Sequence, residues 1–201
     1  MKVRANREYG SFRRRIAGQP DLLHPWRGAA YRVTTLDYPK PRDILLGRGS
    51  YLHGGRWNAP GSFHTVYGST VDVVAVHESR ANAEYAGIPY PVRTPRLLVT
   101  IELDLQKVLD LTDAATLRHF GVGADELRVE DWRKLQHEGF ESLTQALGRA
   151  AFENGVNGML APSARVADGV NVVYFPGNRR EAIEATVCEP EKLDRIKGIA
   201  D

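Results

Sequence analysis

Residues 96–105 read RLLVTIELDL, and in them Val99, Ile101, Leu103 and Leu105 alternate with Thr100, Glu102 and Asp104. Successive side chains of a strand point to opposite faces, so this stretch predicts a strand with one buried and one wet face. Upstream, residues 70–86 (TVDVVAVHESRANAEYA) predict a helix. Ser69 or Thr70 can cap it, Asp72 suits its first turn, and Gly87 and Pro89 stop it. Further upstream, Ala29–Thr35 (AAYRVTT) is dominated by β-branched and aromatic residues and predicts a first strand. The stretch from Tyr38 to Gly49 is rich in Pro and Gly and reads as a loop, with short strands expected near 55–58 and 65–68. Downstream, helices are expected at 113–119, 130–138 and 141–154. The last of these carries Leu143, Ala146, Leu147, Ala150 and Ala151 on one face, with Gly155 to end it. Strands return at 158–161, 170–175 and 183–188. Strands, then helices, then strands argue for an α+β fold rather than alternating α/β units.

The chain has 201 residues, 42% hydrophobic and 26% charged, a composition that suits one globular domain with a sizeable core. It contains no run of about 18 apolar residues and no charged-then-apolar leader, so neither a membrane span nor a secretory signal is expected. The single cysteine, Cys188, cannot form an internal disulfide, and a cytoplasmic setting is expected. Charge is unevenly spread. Residues 1–20 hold Lys2 and five arginines against Glu8, a net +5, leaving −3 on the rest. Residues 1–28, broken by Gly18 and Pro20, therefore read as a basic N-terminal arm preceding a domain at 29–201. The body lacks the basic character of a dedicated nucleic-acid binder, and direct nucleic-acid binding is not expected.

Several chemistries are excluded by absence. There is no Walker A pattern and no G-x-S-x-G elbow. Gly47-Arg48-Gly49 and Gly121-Val122-Gly123 lack the third glycine of a dinucleotide fingerprint. His77-Glu78 begins like a zincin helix, but Ala81 stands where the second histidine ligand belongs, and no metal is expected.

What remains is His53-Gly54-Gly55-Arg56-Trp57-Asn58, followed by Val66-Tyr67-Gly68-Ser69. Paired glycines allow a tight turn or a close approach to a ligand, and Arg56 offers a fork suited to pyrophosphate or carboxylate. The plainer alternative is a hairpin whose Trp57 fills the core and whose Arg56 pairs with a surface acid. Val71, Val74, Ala75 and Glu78 share one helix face, which places a carboxylate on the core-facing stripe. Such a charge needs compensation, from an ion pair with Arg32 or Arg56 or from a ligand-filled cleft. Arg32 in the first strand reads equally as a snorkelling edge residue.

With Pro162-Ser163-Ala164, these residues resemble the RES domain, named for its Arg, Glu and Ser. The matching positions are Arg32 in Tyr31-Arg32, Glu78 in Ala75-Val76-His77-Glu78, and Ser163. The GGRWN block stands intact at Gly54–Asn58, the aromatic strand residue is Tyr67, and Asp131-Trp132-Arg133 is similar to a later family segment. The likeness covers roughly residues 29–190. Where family members often carry an Asn-Pro-x-His-like sequence, this chain has Phe175-Pro176-Gly177-Asn178, so no role for that histidine carries over.

The resemblance implies an ADP-ribosyltransferase-like fold, with a split, twisted antiparallel sheet, flanking helices and NAD⁺ bound as a consumed substrate in a cleft. It also implies a toxin restrained by an Xre-type antitoxin. Glu78, Arg32 and Ser163 are then expected at the catalytic centre, with Arg32, Arg56, Tyr67, Tyr31 and Ser163 binding NAD⁺. Glu78 would stabilise the oxocarbenium-like ribose left by nicotinamide, and Ser163 would bond the ligand or orient Arg32. The basic arm favours transfer of ADP-ribose to a protein; NAD⁺ hydrolysis or phosphorolysis is the alternative. Two other readings stand beside these. One is a nuclease or RNA-binding module using His53 or His77, and the other is a non-enzymatic interaction domain.

Overall fold

The alternating stretch at 96–105 becomes part of the longest strand among the described residues, which runs on to residue 110. A computed structural model describes residues 3–36, 40–85, 87, 96–179 and 184–192. In chain order its elements begin with α1 (Tyr9–Ala17), β1 (Leu23–Thr35), α2 (Pro41–Leu46) and α3 (Arg48–His53). These are followed by β2 (Val66–Ser69), α4 (Asp72–Tyr85), β3 (Arg96–Asp110) and α5 (Ala114–Phe120). Then come α6 (Ala124–Val129), α7 (Trp132–His137), α8 (Leu143–Glu153), β4 (Gly158–Pro162), β5 (Val170–Tyr174) and β6 (Ala185–Val187). The fold is α+β, as its element order suggested.

The strands form one six-stranded sheet in the order β1-β2-β5-β4-β3-β6, and β1 also pairs with β3. Five strands therefore close into a ring. β1 runs antiparallel to β3 over its whole length, from Leu23 opposite Leu109 to Thr35 opposite Arg96. It touches β2 at a single register pair, Tyr31 with Ser69. The expectation of an antiparallel core needs one correction, because β3 and β4 are parallel. A parallel pair needs a long crossover, and α5 to α8 supply it.

Several boundaries differ from expectation for definable reasons. β1 begins at Leu23 rather than Ala29, because β3 is long enough to pair with the whole of it. Its register shifts between His24 and Trp26, where Pro25 has no N–H to give the ladder. The expected boundary at 28/29 thus falls inside a strand. The arm also contributes α1, whose Phe12 and Ile16 are buried in the main core cluster with Leu147, Ala150 and Ala151. The Pro- and Gly-rich loop contains α2 and α3. Pro41 opens α2, where a missing N–H costs nothing, and Gly47, in the left-handed region at φ 67°, closes it. Residues 55–58 make one isolated bridge rather than a strand. Neither Ser69 nor Thr70 caps α4: the Ser69 hydroxyl bonds Asn171 and the Thr70 hydroxyl bonds the Val170 carbonyl. Helix α6 was not anticipated. The ends of the 70–86 and 183–188 stretches, and Pro89, lie outside the described residues.

Candidate active site

A cleft of about 380 Å³ opens between β1, β2, α4, α7 and the β4–β5 connection. Tyr31, Arg32, Arg56, Tyr67 and Glu78 all line it, together with Arg96, Arg133, Arg165 and Asn171. The fold thus gathers five of the expected residues from three elements and the loop before β2. Ser163 is not among the lining residues, and His53 and His77 are exposed and outside it.

The GGRWN block is a frame for one arginine. Gly55 donates to the Asn58 carbonyl (2.8 Å), making a tight turn. A Cβ on Gly55 would collide with the Tyr67 hydroxyl, so only glycine lets that ring approach. Trp57 is 2% exposed and packs in the core. Asn58, fully buried, donates to the Ser50 and Phe63 carbonyls and accepts from the Tyr67 hydroxyl at 2.8 Å. That same hydroxyl accepts from the Trp57 N–H at 3.0 Å. Burial holds the Tyr67 phenol well above its ordinary pKa, so it stays protonated. Arg56 emerges from this frame and donates to the carbonyls of Leu127 (2.7 Å) and Glu130 (3.3 Å). Trp57 is a core residue as the plainer reading held, but Arg56 meets carbonyls rather than a surface acid.

Arg32 donates from Nη1 to the Tyr67 carbonyl at 2.7 Å, while its buried Nε has no partner among the described residues. Burial holds its pKa below the usual arginine value, with Tyr67 acting the other way. Arg56 is depressed too, first by burial, with Glu78 the largest opposing influence. Neither arginine forms an ion pair with Glu78 among the described residues.

Glu78 is held by neutral donors instead. Its Oε1 accepts from the Ser163 hydroxyl (2.7 Å) and from the Asn171 amide (2.9 Å). Oε2 accepts no hydrogen bond among the described residues. Ser163, 1% exposed, thus bonds Glu78, and among the described residues it makes no hydrogen bond to Arg32. Its hydroxyl also accepts from the N–H groups of Arg165 (3.1 Å) and Val166 (3.2 Å), which fixes its rotamer. Asn171 is fixed in turn by the Ser69 hydroxyl at 2.7 Å. The helix-face argument for Glu78 was only partly correct. Val74 and Ala75 are buried, but Val71 precedes α4 and is 50% exposed.

The cleft also contains residues to which the sequence assigned no role. Arg133 lies over the rings of Trp132 (4.3 Å) and Tyr85 (4.6 Å) and bonds Asn82. With Arg96 and Arg165, the lining holds five arginines and one carboxylate among the described residues. The sequence marked Arg133 and Arg165 only as members of quoted segments and Arg96 as the start of a strand, with no spacing to connect the three. Among the described residues, no three His, Cys, Asp or Glu side chains gather to hold a metal, and no helix is long and apolar enough to cross a membrane.

The family model of the RES domain matches residues 29–195, and the chain belongs to this family. Its relatives include the NAD(+) phosphorylase MbcT of Mycobacterium tuberculosis and that of Mycobacterium bovis. Each is 30% identical over 157 residues, which span 77% of this chain and 76% of the relative. Among solved structures, the crystal structure of the M. tuberculosis MbcT–MbcA toxin–antitoxin complex holds a similar chain. The TM-score is 0.70 at 25% identity, covering 93% of this chain and 97% of that one.

Proposed function

We propose that this protein is the toxin of a toxin–antitoxin pair and cleaves the nicotinamide–ribose bond of NAD⁺, with inorganic phosphate as the acceptor. The observation that carries this reading is Glu78, a carboxylate fixed through one oxygen by Ser163 and Asn171 in a cleft whose other charged lining residues, among the described residues, are arginines. As nicotinamide departs, positive charge grows on the ribose. A prealigned carboxylate stabilises it without having to reorganise. Arg32 and Arg56 clamp the pyrophosphate, Tyr67 stacks on nicotinamide, and Tyr31 completes the pocket.

Transfer to a protein drew its support from a free basic arm. That support weakens, because α1 docks on the domain's own core and Arg15 bonds the His119 carbonyl. The name of the MbcT relatives favours phosphate over protein or water. A nuclease using His53 or His77 finds no support, since neither lines the cleft. The partner is an antitoxin that covers the cleft, and the likeness to a toxin from a toxin–antitoxin complex supports this. An Xre-type helix-turn-helix partner is proposed on family resemblance alone.

The test is purified protein with NAD⁺, with and without phosphate. Nicotinamide release that requires phosphate, accompanied by ADP-ribose 1″-phosphate, is the expected result. Phosphate-independent release of free ADP-ribose would make the protein a hydrolase. Label retained on protein would restore the transferase reading.

A further inference from the structure

The cleft carries more positive charge than its dinucleotide needs. NAD⁺ brings two phosphate charges, which two guanidinium forks satisfy, yet five arginines line the site. Arg133 and Arg165 make no ion pair among the described residues. Three of the five sit close enough to repel one another. The like charges of Arg56 and Arg165 add to burial in holding the Arg133 guanidinium below its ordinary pKa, and Arg165 acts on Arg56 in the same direction. Clustered like charges in a partly desolvated cleft are costly unless an anion joins them.

We propose that Arg133 and Arg165, close to the Arg56 that clamps the pyrophosphate, form a second anion subsite that binds the attacking inorganic phosphate. This rests on the phosphorolytic reading above and assigns the co-substrate its place. Arg133 is a built element of this site: it is stacked on Trp132 and Tyr85 and held by Asn82, so its fork is presented in a fixed plane. Arg165 sits at the reacting end. Its backbone N–H shares the Ser163 hydroxyl that anchors Glu78, so its Cα lies beside the carboxylate that marks the ribose C1″. Arg32 enters from β1 and contacts the Tyr67 carbonyl, which leaves it to the dinucleotide. In the step itself, a phosphate oxygen bonds to C1″ as the C1″–N bond to nicotinamide breaks. The electron pair of that bond goes to the ring nitrogen, which leaves neutral. The hydrogenphosphate proton stays on the phosphoryl group of ADP-ribose 1″-phosphate and is then lost to water.

The experiment compares KM for phosphate and KM for NAD⁺ in the wild type, Arg133→Gln, Arg133→Lys and Arg165→Gln. Charge-assisted hydrogen bonds imply that each glutamine variant raises phosphate KM by about tenfold or more while NAD⁺ KM moves within about twofold. Arg133→Lys should recover part of the loss, since it keeps the charge but not the fork. Arg165 is exposed, so its variant keeps the test alive if Arg133→Gln destabilises α7. Equal rises in both KM values in an active protein would overturn the subsite and give these arginines to the dinucleotide. A wild type that releases no nicotinamide at saturating phosphate would instead overturn the proposed reaction itself.

Discussion

At Glu78 two hydrogen bonds fall on Oε1 and none on Oε2 among the described residues, so the carboxylate has one anchored oxygen and one free to act. Glu78→Gln keeps the shape and removes the charge. Turnover of NAD⁺ should fall by about 10²–10³ with the fold intact, as for other prealigned electrostatic stabilisers. Near-normal turnover in a folded Glu78→Gln protein would remove Glu78 from the catalytic centre. Ser163→Ala tests positioning: it strips one anchor from Glu78 and leaves the Arg165 and Val166 N–H groups short of a partner. It should lower kcat by about tenfold with little change in NAD⁺ KM, and cost about 1–3 kcal/mol in denaturant unfolding. A raised KM at unchanged kcat would mean that Ser163 contacts the ligand after all. Sequence spacing alone could bring a carboxylate to a helix face. It could not say that the holders were Ser163 and Asn171, 85 and 93 positions away, because that depends on how β4 and β5 close against α4.

Among the elements, α8 supports the site without touching it. Gln145 donates to the Gly55 carbonyl at 3.0 Å, and Gly148 lies so close to Trp57 that a Cβ there would strike the Trp57 carbonyl. Gly148→Ala should therefore destabilise the protein by about 1–3 kcal/mol, as overpacking does. Gly49→Ala is the contrast. Gly49 sits inside α3 with nothing within 4 Å of an added Cβ, so the change should gain up to about 0.5–1 kcal/mol. Thermal melts of the pair decide it, and a neutral Gly148→Ala would show that the Trp57 turn can move aside. Long periodic elements such as α8 and β3 were legible because their faces repeat. The helices α2 and α3 were not: Pro41 and Gly47, taken as signs of a loop, are the start and stop of a six-residue helix.

For the molecule as a whole, the sequence set a basic arm at 1–28 before a domain at 29–201, and α1 of that arm packs into the main core cluster. The α+β class was readable from element order. Ring closure of the sheet was not, since it depends on one long-range register pair between Tyr31 and Ser69. The exposed face of the arm dominates its composition and hides its packing face. Arg13, Arg14 and Arg15 face outward, while Phe12 and Ile16, four residues apart on the other face, fill the core beside Leu147 and Ala150. Phe12 also meets the Phe120 ring edge-on at 5.9 Å, linking the arm to α5. If α1 is part of the core, Phe12→Ala should cost about 3–5 kcal/mol, the usual range for a fully buried phenylalanine. Arg14→Gln, on the exposed face, should stay within about 0.5 kcal/mol. Denaturant unfolding of the two variants separates the readings. A Phe12→Ala protein as stable as the wild type would return residues 1–28 to the status of an appendage and reopen their use in docking an acidic target. A large loss with Phe12→Ala and none with Arg14→Gln would fix α1 as part of the domain, with its basic face left over for a partner.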